Sequence, residues 1–278
     1  NRVPVLAIAA HIPSTEIGLG YFQETHPQAL FRECADFVEL VSNPAQMPEI
    51  LYRAMNTAIG KQGVAVLVLP GDVALSEAPA ASPRHWVAEQ PQRVAPTSTE
   101  IDRLVGLLNQ AKAPAILAGA GCAGAHTELV SVAKALKAPI VHALRGKEYV
   151  EYDNPYDVGM TGLIGFSSGY HTLMSADAVL MLGTGFPYRA FYPKEATMIQ
   201  VDRDPTALGR HTTLSLGIAA DVRETLSALL PKLAERSDTT FLDHALAHYH
   251  KARSGLDELA QPAGAGKPVH PQHLMRLV

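Results

Sequence analysis

The sequence predicts an α/β protein whose largest domain is a doubly wound, parallel sheet. Between Pro114 and Pro205, short apolar runs each end in a turn marked by glycine or charge, and helix-like stretches separate them. Buried parallel strands have this pattern because helices cover both faces of their sheet. The four runs are Ala115–Gly121, Ala138–Ala143, Ala178–Gly185 and Thr197–Asp204.

The ends of these predicted strands carry residues suited to a nucleotide. Two strands end in Gly-x-Gly, at Gly119–Gly121 and Gly183–Gly185, and a third ends in Asp202. Backbone N–H groups at glycine turns bind a pyrophosphate, and a carboxylate at a strand end accepts hydrogen bonds from an adenosine hydroxyl or base. The sequence therefore predicts a bound dinucleotide at the carboxyl edge of this sheet.

Simpler interpretations exist for the same residues. Residues 119–124 match Gly-x-Gly-x-x-Gly, but an ordinary turn between a strand and a helix has this pattern too. Asp202 or Asp204 would equally serve as the cap of the next helix, an alternative that has more weight for Asp204.

Two arginines and one loop are further candidates. Arg145 and Arg189 follow predicted strand ends, where a guanidinium can bind phosphate or flavin oxygens. Surface pairing with Glu148 is the alternative for Arg145. The glycine-punctuated loop Thr161–Gly169 suits a backbone that lies against a flat or extended ligand.

The composition excludes several classes of protein. The 278 residues are 47% hydrophobic and 18% charged with a net charge of −4, so no basic patch indicates a nucleic-acid partner. Two isolated cysteines, Cys34 and Cys122, indicate neither a disulfide framework nor a zinc site and favour the reducing cytoplasm. No apolar run reaches the roughly 18 residues of a membrane-spanning helix.

The first 74 residues are predicted to be part of a larger α/β domain. They contain a strand at Val3–Ala10, helices at Pro27–Leu40 and Pro44–Ile59, and a strand at Val64–Leu69. Two strands alone leave long unpaired sheet edges. We therefore expect residues 1–74 to be the C-terminal part of a domain, and the sequence to be an internal piece of a longer protein.

The rest of the sequence divides at two linkers. Residues 75–92, rich in Ala, Pro, Ser and Gln, are predicted to be a semi-rigid linker. Residues 93–236 form the central domain, whose first helix is capped by Thr97 or Ser98. Residues 237–278 supply a helix, a second linker and the start of another domain.

Two more helices are predicted in the C-terminal half of the sequence. A closing helix is expected over Asp221–Leu233 and a further helix over Thr239–Leu259. The second helix has His244 and His248 four residues apart, a spacing that zinc sites use. A solvent-exposed helix face is the favoured interpretation, because no third ligand is placed beside them.

Six segments of the sequence together form a recognisable set. They are Phe22–Glu24, Pro70–Val73, Ala143–Glu148, Tyr152–Gly162, Gly185–Pro193 and Val201–Pro205. Together these segments resemble the thiamine-diphosphate (ThDP) enzymes that also bind FAD, and are most similar to the pyruvate:quinone oxidoreductases, or pyruvate oxidases. Acetolactate synthases share the general plan and are less similar around Phe186–Tyr192.

The resemblance implies a domain order and three cofactors. Residues 1–74 correspond to the end of a pyrimidine-binding domain, residues 93–236 to a Rossmann-like FAD-binding domain, and the tail to the start of a pyrophosphate-binding domain. The family's main motifs for ThDP and Mg²⁺ do not occur in this sequence, so we expect the chain alone to be inactive on pyruvate.

The resemblance also implies site residues. Phe22 and Gln23 match a pair that faces the thiazolium ring, and no metal ligand is predicted. The implied FAD contacts, with Arg145 and Arg189 added from the argument above, are Gly119, Ala120, Gly121, Arg145, Thr161, Gly162, Leu163, Ile164, Thr184, Gly185, Phe186, Pro187, Tyr188, Arg189, Asp202 and Asp221.

For the longer protein, the resemblance implies oxidative decarboxylation of pyruvate to acetate and CO₂, with electrons passed through FAD to a quinone. A homotetramer that associates peripherally with the cytoplasmic face of the membrane is expected. The alternatives are an acetolactate synthase, in which FAD is structural, and a non-catalytic nucleotide-binding module.

Overall fold

The computed structural model describes residues 2–77, 93–264 and 266–277. The chain divides into two compact units, Asn1–Gln92 and Arg93–Val278. Each unit has its own parallel sheet with helices packed on it. Most of the predicted linker, residues 78–92, lies outside the described residues.

The first unit is a three-stranded sheet in the order β1-β3-β2. Its central strand is buried, and helix α2 packs Ala54 and Ala58 against Ala65 and Leu67 of that strand. The elements are β1 (Val5–His11), α1 (Pro27–Phe31), β2 (Phe37–Leu40), α2 (Met47–Lys61), β3 (Val64–Pro70) and α3 (Gly71–Ala74), with 3₁₀ turns at Ser14–Glu16 and Pro44–Gln46.

The predicted helix Pro27–Leu40 is wrong in its second half. Helix α1 ends at Phe31, and Phe37–Leu40 is strand β2. The Asp36 N–H donates to the carbonyl of Val64 at 2.8 Å, and β2 then pairs in parallel with β3. Phe and Val favour a strand, and pairing with the buried β3 outweighs the local helical pattern.

The second unit is a six-stranded parallel sheet in the order β6-β5-β4-β7-β8-β9. The order reverses between β4 and β7, the arrangement of a doubly wound sheet. The strands are β4 (Pro114–Ala118), β5 (Ile140–His142), β6 (Asp157–Met160), β7 (Ala178–Leu182), β8 (Thr197–Val201) and β9 (Leu216–Ile218).

Helices cover both faces of this sheet, as the continuous apolar runs predict. On one face Ile116 packs with residues of α4, α5 and α8, and on the other Leu117 packs with residues of α7 and α9. The helices are α4 (Ser98–Gln110), α5 (His126–Leu136), α6 (Lys147–Val150), α7 (Ser167–Ser175), α8 (Val222–Leu229), α9 (Thr240–Leu259) and α10 (Pro271–Leu277). Short 3₁₀ turns lie at Ala120–Cys122, Leu144–Gly146, Arg189–Phe191, Pro205–Ala207 and Leu230–Lys232.

The α/β class and the four strands predicted for the second unit are confirmed, and the two outer strands of that unit, β6 and β9, were not predicted. β6 begins with the buried Asp157, and β9 is only the three residues Leu216–Ile218. Both are short outer strands that contain a polar residue or a glycine, so neither forms a continuous apolar run.

The start of α4 and the end of α8 each have an identifiable physical cause. Thr97, not Ser98, is the N-cap of α4: its hydroxyl accepts from the Glu100 N–H, and the Glu100 carboxylate accepts from the Thr97 N–H. This reciprocal capping box is the predicted signal. The expected helix Asp221–Leu233 ends earlier, at Leu229, because Pro231 lacks the N–H that would continue the ladder.

Among the described residues, no helix is both long and apolar enough to cross a membrane.

Candidate cofactor site at the carboxyl edge of the six-stranded sheet

The loops after β4 and β7 touch where the strand order reverses. The Gly119 N–H donates to the Leu182 carbonyl at 2.9 Å, and the Gly121 N–H donates to the Gly183 carbonyl at 3.0 Å. In doubly wound sheets this crevice, beyond the carboxyl ends of the strands, is where ligands bind.

Glycines at this contact are required by the neighbouring backbone. A Cβ added to Gly121 would lie 2.6 Å from the Cα of Gly183. One added to Gly119 would lie 2.5 Å from the Cβ of Thr184. Gly183 itself has φ +56°, in the left-handed region. The glycine pattern therefore allows two turns to pack together, a role that the predicted motif does not include.

The helix after these glycines begins later than the motif suggests. A 3₁₀ turn occupies Ala120–Cys122, and α5 starts only at His126. The Gly119–Gly121 turn is thus separated from the helix N-terminus. Backbone groups of the turn, rather than the first turn of α5, lie at the crevice.

The loop after β5 packs against the same turn. The Ala143 N–H donates to the Ala118 carbonyl at 2.9 Å, and a Cβ on Gly146 would lie 2.7 Å from that carbonyl oxygen. Arg145 is thereby placed at the edge, on the loop next to the glycine turns. Glu148, its alternative partner, hydrogen-bonds Tyr149 and raises the pKa of that phenol.

A buried hydroxyl lies on the loop after β6. Thr161 is buried, and its N–H donates to the His142 carbonyl at 3.0 Å. The Thr161 Oγ1 atom has no hydrogen-bond partner among the described residues. An unsatisfied buried hydroxyl costs about 1–3 kcal/mol. A polar group of a bound ligand would remove that cost, so the site fits a ligand at this point.

The loops after β6 and β7 form an apolar edge. Leu163 and Ile164 are 74% and 71% exposed. The Phe186 and Tyr188 rings meet edge to face, with centroids 5.2 Å apart. A Cβ on Gly162, whose φ is +118°, would lie 3.4 Å from the Tyr188 ring, so the two loops are in contact. Together these side chains suit a flat ring system.

Asp202 directly follows the last residue of β8, as the strand pattern predicts. Asp202 is 2% exposed, and its carboxylate accepts from the Asp204 N–H at 2.9 Å. Asp204 is the N-cap of the following 3₁₀ turn and accepts from the Thr206 N–H at 2.9 Å. The capping interpretation therefore holds for Asp204, whereas Asp202 organises the turn that follows the strand.

Asp221 makes a hydrogen bond and an ion pair within the protein. Its carboxylate accepts from the Val94 N–H at 2.5 Å and lies 3.5 Å from Nε of Arg203. These contacts fasten the segment before α4 to the end of the sheet. A contact of Asp221 with FAD stays a prediction.

Phe22 and Gln23 belong to the first unit, on the loop after β1. Phe22 is 79% exposed, and Gln23 has φ +60°, which is unusual outside glycine. The Glu24 carboxylate accepts from the N–H groups of Gly18 and Gly20 at 2.5 and 2.8 Å, and these bonds hold the pKa of Glu24 below its usual value. The tip that carries the Phe-Gln pair is therefore organised by Glu24.

The predicted cofactor residues on the six-stranded unit share one edge of its sheet. Those after β4, β5, β6, β7 and β8 all follow carboxyl ends, and direct contacts join the loops of β4 with β7, β5 with β4, and β6 with β7. Sequence reasoning missed Gly146 and Gln200. Gly146 packs against the loop after β4, and the Gln200 side chain donates a hydrogen bond to the Thr184 carbonyl in the loop after β7. The available signal for Gln200 was a polar residue inside an apolar strand.

Sequence reasoning also missed a buried ionisable pair below the edge. His142 Nε2 and Asp157 Oδ1 are 3.6 Å apart, and Tyr249 of α9 hydrogen-bonds Asp157. Burial raises the pKa of Asp157 to about 6 and lowers the pKa of His142 to about 4. Burial thus favours the neutral form of both groups.

The histidines of α9 do not assemble a metal site. Among the described residues, no group of three or more His, Cys, Asp or Glu side chains is arranged to hold a metal ion. His248 instead lies 3.1 Å from the Ser167 hydroxyl and stacks on His171 with ring centroids 5.4 Å apart.

Residues 101–229 match the family model described as the thiamine pyrophosphate enzyme, central domain. The chain is 59% identical over 271 residues to an uncharacterised 42.6 kDa protein of Pseudomonas amyloderamosa, covering 96% of this chain and 68% of that protein. It is 31% identical to a putative thiamine pyrophosphate-containing protein of Bacillus subtilis, covering 99% of this chain and 48% of that protein. It is 28% identical to the pyruvate oxidase of Lactiplantibacillus plantarum, covering 93% and 44%.

The last two of these relatives are matched over about half of their length. Further relatives are named sulfoacetaldehyde acetyltransferase and acetolactate synthase. The expected resemblance is confirmed at this coarser level, since a thiamine pyrophosphate enzyme central domain is matched and the relatives include a putative thiamine pyrophosphate-containing protein and a pyruvate oxidase. Residues 101–229 of the chain therefore belong to the family of thiamine pyrophosphate enzyme central domains.

Proposed function

We propose that the six-stranded unit binds one FAD across the carboxyl edge of its sheet. The longer protein would use this FAD in the oxidation of pyruvate. The observation that carries the FAD proposal is the buried Thr161 hydroxyl, unpartnered among the described residues, on the same edge of the sheet as the paired glycine turns. When bound, FAD would serve as the acceptor of an electron pair.

The glycine turns are suited to the pyrophosphate. Gly119–Gly121 and Gly183–Gly185 bring backbone without side chains to the crevice, and a Cβ on Gly185 would meet nothing within 4 Å. The N–H groups of Gly119, Gly121 and Gly183 donate to carbonyls of the protein, so we propose that the phosphate binds at Gly185, where open space lets an oxygen approach the backbone closely. Arg145 and Arg189 add positive charge at the same edge.

The apolar edge is suited to the flavin ring. Tyr188, Leu163 and Ile164 are exposed, while Phe186 is buried and supports the Tyr188 ring from below. Burial of exposed apolar surface contributes about 25 cal/mol per Å². A flat aromatic ligand would cover these side chains, and Thr161 would hydrogen-bond one of its polar atoms.

Asp202 is suited to the adenosine end. Its carboxylate already accepts from the Asp204 N–H, and a carboxylate has lone pairs for more than one donor. A ribose hydroxyl or an adenine amino group donates to such an acceptor.

For the whole protein, we propose that pyruvate is decarboxylated at ThDP and that the electrons pass through FAD to a quinone. Phe22 and Gln23 would shape the pocket at the thiazolium ring. We further propose a homotetramer at the cytoplasmic face of the membrane, with ThDP and Mg²⁺ bound through motifs that this sequence does not contain. The pyruvate oxidase among the relatives supports this choice of substrate.

The FAD proposal is tested by titration of the purified, folded protein with FAD, followed by quenching of flavin fluorescence. We expect saturable binding with one FAD per chain. FMN and ADP serve as controls for the two ends of the ligand. A folded sample that shows no saturable FAD binding would contradict the proposal.

The reaction is tested on the full-length protein. Reduction of bound flavin by pyruvate, with acetate as product, is expected. The acetolactate synthase alternative predicts acetolactate without net flavin reduction. A protein that binds FAD and has neither activity would instead be a nucleotide-binding module.

A further inference from the structure

Gln200 is a polar side chain in the middle of the apolar strand β8. It is 2% exposed and lies between the buried Ile199 and Val201. A buried amide is costly unless its groups are hydrogen-bonded. The identity of its partners therefore indicates what the residue does.

The amide of Gln200 joins two loops. Its Nε2 donates to the Thr184 carbonyl at 3.2 Å and to the Ala207 carbonyl at 3.3 Å. Its Oε1 accepts from the Gly209 N–H at 3.0 Å. Thr184 begins the loop after β7, and Ala207 and Gly209 belong to the turn that follows Asp202.

A second buried side chain holds the same β7 loop two residues further on. The Tyr192 hydroxyl donates to the Phe186 carbonyl at 2.5 Å, and the Phe186 N–H donates to Thr184 Oγ1 at 3.3 Å. Burial raises the pKa of Tyr192, which keeps the hydroxyl a donor. The carbonyls of Thr184 and Phe186 are thus both fixed from inside the protein.

We propose that Gln200, assisted by Tyr192, is a positioning residue for the cofactor. It fixes the spacing between the β7 loop, residues 184–188, and the β8 turn, residues 202–209. This inference rests on the FAD site proposed above, because it assumes that one ligand contacts both segments. Loops held in place before binding lose less conformational entropy when the ligand arrives.

The first test is Gln200→Met, which keeps the length of the side chain and removes all three hydrogen bonds. Without ligand, we expect hydrogen exchange to accelerate about tenfold or more at the Gly209 amide in the β8 turn and at the Phe186 amide in the β7 loop, both of which are hydrogen-bonded. Amides of β4 and β7 should keep their protection. Ile199→Val, in the same strand, is the control for a general loss of stability.

The second test is FAD binding by the same variants. Gln200→Met should raise the FAD dissociation constant about tenfold, and Ile199→Val should leave it within about twofold. Tyr192→Phe removes one hydroxyl and keeps the ring, so it folds even where Gln200→Met does not. It should accelerate exchange at the Phe186 amide, leave the Gly209 amide protected, and weaken FAD binding about threefold.

The outcomes separate this inference from the proposed function. Unchanged exchange in the loops, or faster exchange with unchanged FAD affinity, would overturn the positioning role. If the unmodified protein binds no FAD, the proposed function and the positioning of FAD fail together. In that case the exchange data still decide whether Gln200 holds the two segments.

Discussion

Single residues at the carboxyl edge are determined by the backbone of a neighbouring loop. Gly121 and Gly183 lack side chains because each lies against the other, so their identity follows from a contact between two loops whose glycines are 62 residues apart in sequence. Gly185, two residues on, has open space beside it. Two glycines of the same loop therefore have different roles. Gly183 allows two turns to pack together, and Gly185 leaves space for a ligand.

Gly183→Ala tests the packing task. The added Cβ would lie 2.4 Å from the Cα of Gly121, at φ +56°, so we expect a loss of about 2 kcal/mol or more of unfolding free energy. Gly185→Ala is the matched control and should change stability by no more than about 0.5 kcal/mol. Urea denaturation measures both. Equal losses would show that the turn-to-turn contact does not determine the glycine.

Asp202 and Asp204 differ in their expected effect on FAD. Asp202→Ala should weaken FAD by about 1.5–3 kcal/mol, the value of a hydrogen bond to a charged group. Asp204→Ala removes a cap and should cost about 1 kcal/mol of stability with little effect on affinity. Fluorescence titration gives the two dissociation constants, and the assignment of Asp202 fails if they agree.

At the level of elements, α9 is attached to the outer strand β6 by a buried polar contact. Tyr249 hydrogen-bonds Asp157, and a Cβ on Gly159 would lie 3.1 Å from the Tyr249 ring. The glycine thus leaves room for the tyrosine that holds the helix. The attachment keeps a carboxylate buried, with a pKa of about 6.

Asp157→Asn should stabilise the protein in a pH-dependent way. The folded pKa of Asp157, about 6, is above the value of 3.8 for an unperturbed aspartate, so the stability cost of ionising the buried group grows from about pH 4 and is complete above pH 6. The amide avoids this cost and should add about 1–3 kcal/mol at pH 8. As pH falls from 6 towards 4, the native protein binds the proton and the advantage of the variant should disappear. Thermal melts at pH 8 and pH 5 measure it; a constant advantage would contradict the argument.

The elements that sequence reasoning found and missed differ in their source of stability. The four inner strands of the second unit were predicted because burial on both faces demands continuous apolar runs. Strands β2, β6 and β9 are short and lie at or near sheet edges, and their pairing depends on neighbours distant in sequence. The residues that follow strand ends were identifiable for the same reason as the strands. Gln200, Gly146 and Asp157 contact residues of other elements of the fold. Local sequence patterns do not predict such contacts.

The whole molecule consists of two units with unequal cores. The first unit has three strands, and β1 has exposed apolar side chains, including Ile8 at 57%. The second unit has a six-stranded sheet with apolar clusters on both faces. Less burial of apolar surface means less stability, so the first unit should unfold first.

Limited proteolysis with and without FAD tests this order. We expect residues 1–92 to be digested while a fragment beginning near Arg93 persists, because cleavage follows local unfolding. FAD should slow the digestion of the second unit only, since a ligand stabilises the unit that binds it, by about 2.7 kcal/mol at one hundred times its dissociation constant. Gly183→Ala serves as the control, because its altered turn should remove the protection by FAD and leave the digestion of residues 1–92 unchanged. Protection of both units to the same extent would mean that they unfold together, and the division into independent units would then be wrong.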